Sequence, residues 1–173
     1  PVVLPLKLLV MLFHELSHGI AAIVTGGRIE SLTLSADQGG MAMTRGGSRF
    51  WILTAGYLGS LLIGLGLLNA ALRTRADRAV LAGLGTVLLA VALLYVRDVF
   101  AMGFCLVAGG AMIAGARQLP RAWADLVLRV IGLASMIYVP YDILSDTILR
   151  AGLRSDARML AEEVGGATVL WGV

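Results

Sequence analysis

Both histidines of the chain fall in one five-residue segment, His14-Glu15-Leu16-Ser17-His18. On a helix, residues four apart stack on one face, so both imidazoles can reach a single metal ion. Glu15 lies about 100° round the same helix. There a carboxylate can touch a metal-bound water without displacing it. Two neutral imidazoles holding Zn²⁺, with a carboxylate to take the proton of the bound water, is the arrangement of a zinc hydrolase. Such a zinc takes three protein ligands and keeps one position open. The chain has no third histidine, and its single cysteine, Cys105, is isolated, so the third ligand is expected to be a carboxylate. Asp142 and Asp146 are four apart, hence on one helix face, and follow Pro140. A proline there removes a backbone hydrogen bond and predicts a kink lining a cavity. Either aspartate could hold the metal, with the deeper Asp142 slightly favoured. The alternative for each is a helix-end carboxylate reaching for the interface.

The elements that must position these groups are apolar. Of 173 residues, 58% are hydrophobic and only 14% charged, against roughly 25% charged in ordinary soluble domains. Mean hydropathy is +0.87. A soluble domain of this size buries only about 70% of the surface its unfolded chain exposes. The excess apolar surface therefore faces lipid, which argues against disorder and against a soluble enzyme.

Residues 50–72, 79–96 and 99–116 contain no Asp, Glu, Lys or Arg. Each is close to the roughly 20 residues that cross a bilayer core. Residues 8–27 add one charged residue, Glu15, and residues 130–149 add two, Asp142 and Asp146. The net charge of +3 comes from arginines placed between these stretches, a membrane-flanking pattern that predicts no nucleic-acid partner. Basic residues are nearly balanced on the two sides, so they do not set the orientation.

The chain is expected to form one domain over 1–173. Spans are predicted at 4–25, 49–71, 79–96, 99–116 and 126–149. A sixth apolar run, 164–173, is read as a span cut short by the end of the sequence. Gly26 and Gly27 stop the first helix. Alternation in 29–35, turn residues at 37–40 and a short extended run at 41–44 predict a β-hairpin over about 29–44. Residues 155–163 predict a short interfacial helix with Ser155 or Asp156 as N-cap. The fold class is all-α polytopic membrane protein, about six transmembrane helices, with a small β-hairpin after the first. The 22 glycines predict close helix packing, with a backbone break near the site considered only at Gly56 and Gly59.

The segments FHELSHGIAAIVTGGRIESL, TRGGSRFWILTAGYLGS and YDILSDTIL followed by SDARMLAEE resemble the site-2 proteases, the intramembrane zinc metallopeptidases. The chain is most similar to their short bacterial branch, which lacks PDZ and CBS domains, and the resemblance covers nearly all of it. It implies Zn²⁺ as cofactor, His14 and His18 as ligands and Glu15 as catalytic base. The Leu-Asp-Gly motif of the larger family appears as Asp142-Ile143 and Asp146-Thr147, so the choice between the aspartates stays open. The family's Ala-Gly-Pro-Leu-x-Asn segment appears as Ala55-Gly56-Tyr57-Leu58-Gly59-Ser60. That implies substrate contacts at Tyr57 and Ser60, with Ser60 standing for the Asn.

The expected function is regulated intramembrane proteolysis of a membrane-embedded protein substrate, in the lipid bilayer of a bacterial plasma membrane. Two alternatives compete with it. A divalent-cation transporter would need polar residues at matched depth in several spans, and three spans carry no charge. A catalytically degenerate zinc-binding membrane protein would be expected to lose Glu15 first, and Glu15 is present.

Overall fold

The computed structural model describes residues 3–35, 39–149 and 155–172. Helix α1 (Leu4–Val24) leads into a hairpin, β1 (Arg28–Leu34) and β2 (Gly40–Arg45). Four helices follow: α2 (Arg49–Arg73), α3 (Asp77–Tyr95), α4 (Val99–Gln118) and α5 (Arg121–Leu144). The last runs on into a π-helical turn, Ser145–Leu149, before α6 (Asp156–Val164) and α7 (Thr168–Gly172). Helices α1 to α4, and α5 with its π turn, are long and apolar enough to cross a membrane, five in all among the described residues. The apolar run 164–173, read as an incomplete sixth span, forms in its described part the five-residue α7, shorter than a bilayer crossing requires. The predicted turn residues Asp37 and Gln38 lie outside the described residues.

Helix α1 opens with a proline in its first turn, where a missing N–H costs nothing. It stops at Gly26, whose φ of +88° suits glycine. The Gly27 N–H bonds Ala22 O and the Gly26 N–H bonds Ile23 O, a Schellman ending that satisfies the last carbonyls. The chain is thereby turned back beside α1.

In the antiparallel hairpin Leu32 pairs with Ala42 and Leu34 with Gly40, with an irregularity between Ile29 and Ser31. Leu32 and Leu34 are buried with the two-residue alternation of a half-covered strand, and Ile29, three residues before Leu32, is buried as well because the irregularity between Ile29 and Ser31 shifts the phase. The far edge of β1 is closed at Leu32 by a parallel bridge to Val96. The far edge of β2 has no strand partner among the described residues.

A single large core joins α1, β1 and the four following helices, with Phe13, Leu12, Leu32, Leu88 and Leu128 almost fully enclosed. Small residues allow the close crossings. A Cβ on Gly85 of α3 would lie 2.7 Å from Gly109 O of α4, and one on Gly109 would lie 2.8 Å from Gly85 O. Helix α5 begins earlier than its apolar run, at Arg121, and passes Pro140 without ending. The irregularity expected at Pro140 comes a turn later, as the π turn that carries Asp146. Such turns are frequent at functional sites.

Candidate metal centre

The five-residue segment is helical, as its spacing predicts, and the two imidazoles stand edge to face with centroids 4.6 Å apart. Helix α2 presses against them. A Cβ on Gly56 would lie 2.5 Å from His18 Cε1 and 2.6 Å from His14 Nε2. Glycine there lets the α2 backbone reach the rings. Helix α2 is continuous through Gly56 and Gly59, so close packing accounts for both and no backbone break occurs.

One hydrogen bond sets the tautomer of His18. Its Nδ1–H donates to Ile52 O at 2.6 Å, leaving the Nε2 lone pair facing His14. The two Nε2 atoms are 3.0 Å apart. The carboxylate that meets them is Asp156: its Oδ2 lies 2.8 Å from His14 Nε2 and 3.0 Å from His18 Nε2. Asp156 is the first residue of α6, and Ser155 before it is the N-cap, its Oγ accepting from the Arg158 N–H at 3.3 Å. Burial works to raise the Asp156 carboxyl, but the neighbouring His14 and His18 outweigh burial and hold the group well below the usual carboxylate range.

His14, His18 and Asp156 are the only described residues whose ligating atoms converge in this way. Lone pairs of two imidazoles and a carboxylate facing one another at 2.8–3.0 Å repel unless a proton or a cation lies between them. Tetrahedral zinc with bonds of about 2.0–2.1 Å separates its ligand atoms by about 3.3 Å. The three atoms fit one ion with a few tenths of an ångström of relaxation. Two imidazoles and one carboxylate also leave a coordination position open.

Glu15 lies beside this group, buried and 5% exposed. It accepts a backbone hydrogen bond from Ala42 of β2, and a Cβ on Gly40 would lie 2.7 Å from its Oε1. The hairpin thus holds the carboxylate in place. Because the Ala42 N–H points to Glu15, the two-residue alternation turns the amides of Gly40, Ala42 and Thr44 toward the open edge of β2.

The remaining sequence-predicted residues are placed differently. Neither Asp142 nor Asp146 joins the converging group. Asp146 Oδ2 accepts from the Tyr57 hydroxyl at 2.7 Å. The Tyr57 ring stands edge-on to His14 at 4.9 Å. Asp142 is half-buried and near enough to act electrostatically on Tyr57. Ser60 is fully buried, and its hydroxyl donates within α2, shared between Gly56 O at 2.9 Å and Tyr57 O at 3.0 Å.

Asp156 is the residue that spacing arguments missed. Its sequence context, Ser-Asp opening a polar helix, reads as a cap. The available signal was the quoted SDARMLAEE segment itself, which carries a carboxylate just past the last span.

Apolar spanning helices around a histidine–carboxylate group that could hold a metal ion describe an integral membrane protein. The Peptidase M50B-like family matches residues 1–173. The chain belongs to that family, the site-2 protease family. Comparison with curated proteins and with solved structures gave no significant match.

Proposed function

We propose that this chain is an intramembrane zinc endopeptidase that cuts membrane-associated proteins, with His14, His18 and Asp156 as the metal ligands and Glu15 as the catalytic base. The observation that carries the proposal is the placing of Glu15. A buried carboxylate beside two imidazoles is costly inside a bilayer, and packing alone gives no reason for it. Bound there, zinc would polarise the scissile carbonyl and lower the pKa of water. Glu15 takes a proton from the attacking water at its carboxylate and passes it to the leaving amine nitrogen. The Ala42 N–H holds Glu15 toward the ligand group during both transfers. The Ile52 carbonyl keeps the His18 Nδ1 proton in place, so Nε2 stays available as a ligand. Tyr57 and Asp146 brace the other side of His14.

A peptidase acts on extended chain, because a helix hides its carbonyls in internal hydrogen bonds. The open edge of β2 supports substrate binding by strand addition next to Glu15, giving backbone bonds without demanding a particular sequence. The substrate is then a membrane protein segment that unwinds near one face of the bilayer, in keeping with a bacterial plasma-membrane enzyme.

The test is zinc content and cleavage of a model membrane substrate in vesicles, for wild type and Glu15→Gln. The proposal expects full zinc and no cleavage in the variant. Near-normal turnover in Glu15→Gln would refute the mechanism.

A further inference from the structure

At the end of the bundle far from the metal centre, a cavity of about 460 Å³ opens where α2 ends and α3 and α5 begin. Its size is in the range of small-molecule sites. Along α2, Gly56 at the metal centre and Arg73 at the cavity are on the order of 25 Å apart. The charged lining is Arg73, Arg75, Asp77, Arg121, Asp125 and Arg129. Two of the arginines are committed: Arg121 pairs with Asp77 at 2.5 Å and Arg129 with Asp125 at 2.9 Å. Arg73 and Arg75 are exposed and make no ion pair among the described residues. Two guanidiniums are thus free for an anion, and the lining carries a net charge of +2 (four arginines less two aspartates).

Asp77 adds a second, independent requirement. It is 1% exposed, and its Oδ1 has no hydrogen-bond partner among the described residues. A buried carboxylate oxygen left without a donor is costly. The fitting ligand therefore carries both an anionic group for the arginines and a hydroxyl or ammonium donor for Asp77. Depth narrows the choice further. Trp123, 54% exposed, stands in the first turn of α5 beside the cavity, and exposed tryptophans at span ends sit at headgroup level. Basic pockets between spanning helices at that level suit lipid headgroups.

We propose that this cavity binds the headgroup of a glycerophospholipid, its phosphate on Arg73 and Arg75 and its hydroxyl or ammonium group on Asp77. The shared chemistry is a phosphate ester bearing a hydrogen-bond donor, and a soluble ester such as glycerol 3-phosphate offers it too. Phosphatidylcholine is the natural control, since it has the phosphate and lacks the donor.

Native mass spectrometry of the detergent-purified full chain tests this, with added phosphatidylglycerol, phosphatidylethanolamine, phosphatidylcholine, glycerol 3-phosphate or inorganic phosphate. Phosphatidylglycerol and phosphatidylethanolamine should be retained over phosphatidylcholine. The double variant Arg73→Gln/Arg75→Gln should lower phosphatidylglycerol retention about thirtyfold at low salt. Its zinc content should be unchanged, which shows that it has folded. Equal retention of phosphatidylcholine would overturn the donor at Asp77. Wild-type retention by the folded double variant would overturn the site. Retention of glycerol 3-phosphate or inorganic phosphate without any lipid would overturn the lipid source. If the double variant loses zinc, the single variants Arg73→Gln and Arg75→Gln decide by the same criteria.

Discussion

Helices α1 and α4 are both apolar, of nearly equal length, and both able to span a membrane. Their surroundings differ sharply. Of the α1 span 56% is buried within the protein, against 22% of the α4 span. Helix α1 is wrapped by the hairpin, α2 and α5, while α4 leans mainly on α3. The difference follows from what they carry. Residues 99–116 hold no ionisable side chain except Cys105, whereas α1 holds Lys7, His14, Glu15 and His18. Lipid solvates the first kind of helix without help. The second must be enclosed by protein that supplies hydrogen bonds. Apolar composition decides which helices cross, and ionisable content decides which of them the rest of the fold must surround.

The largest expected effect of disturbing the wrapped helix is at Glu15. Glu15→Gln should lower hydrolysis by about 10²–10⁴-fold, the usual contribution of a general base, with zinc content intact by elemental analysis. His14→Ala should lose both metal and activity. If it kept both, the enclosure of α1 would have to serve packing alone.

Next is the carboxylate contributed by α6. Asp156→Asn should weaken zinc affinity by more than the 10–100-fold typical of a residue that only orients a ligand. Asp146→Asn, which disturbs Tyr57 beside His14, should stay within that range, and Asp142→Asn should do less. Competition with a chelator of known affinity ranks the three. An Asp142→Asn effect larger than that of Asp156→Asn would return the ligand to α5.

A smaller loss is expected where α2 touches the rings. Gly56→Ala places a methyl 2.5–2.6 Å from both imidazoles, so the rings or α2 must shift. Zinc affinity should fall by about tenfold. Thr44→Pro removes one outward amide of β2 without touching Glu15. Losing one backbone bond of about 1 kcal/mol should reduce cleavage about fivefold with zinc unchanged. Unaltered cleavage would remove strand addition.

The smallest effect belongs to α4. A Cβ on Gly103 meets nothing within 4 Å, so Gly103→Ala should leave zinc and cleavage at wild-type levels. Its thermal unfolding should shift by no more than the helix-propensity gain, at most about 1 kcal/mol. A large loss of activity there would break the contrast between the two helices.

Much of this was open to reading from residue order. Apolar stretches of about 20 residues with few charges can only be spans or buried core, and the five predicted spans are such helices. The hairpin announced itself by a change of period, and the α1 stop by Gly26-Gly27. The incomplete sixth run, 164–173, forms in its described part only the short α7, so the described residues hold five spanning helices. The bonding of Ser60 was not legible: a serine at helical spacing from carbonyls three and four residues back can satisfy itself within its own helix, and its type does not reveal which way it turns.

The sequence by itself determined the His14–His18 pair and the position of Glu15 beside it, since all three sit on one helix and the 3.6-residue repeat fixes their relation locally. It also placed a helix start at Ser155 or Asp156, and Ser155 is the N-cap. Only the tertiary structure decided that Asp156 faces the pair. His14 and Asp156 are 142 positions apart, and no local periodicity relates them. Asp142 and Asp146 have the same chemistry and a better-looking span. What separates them from Asp156 is the path of the chain after α5, which leaves Asp146 with Tyr57 and returns α6 over the imidazoles, where the first residue of that helix meets two nitrogen lone pairs.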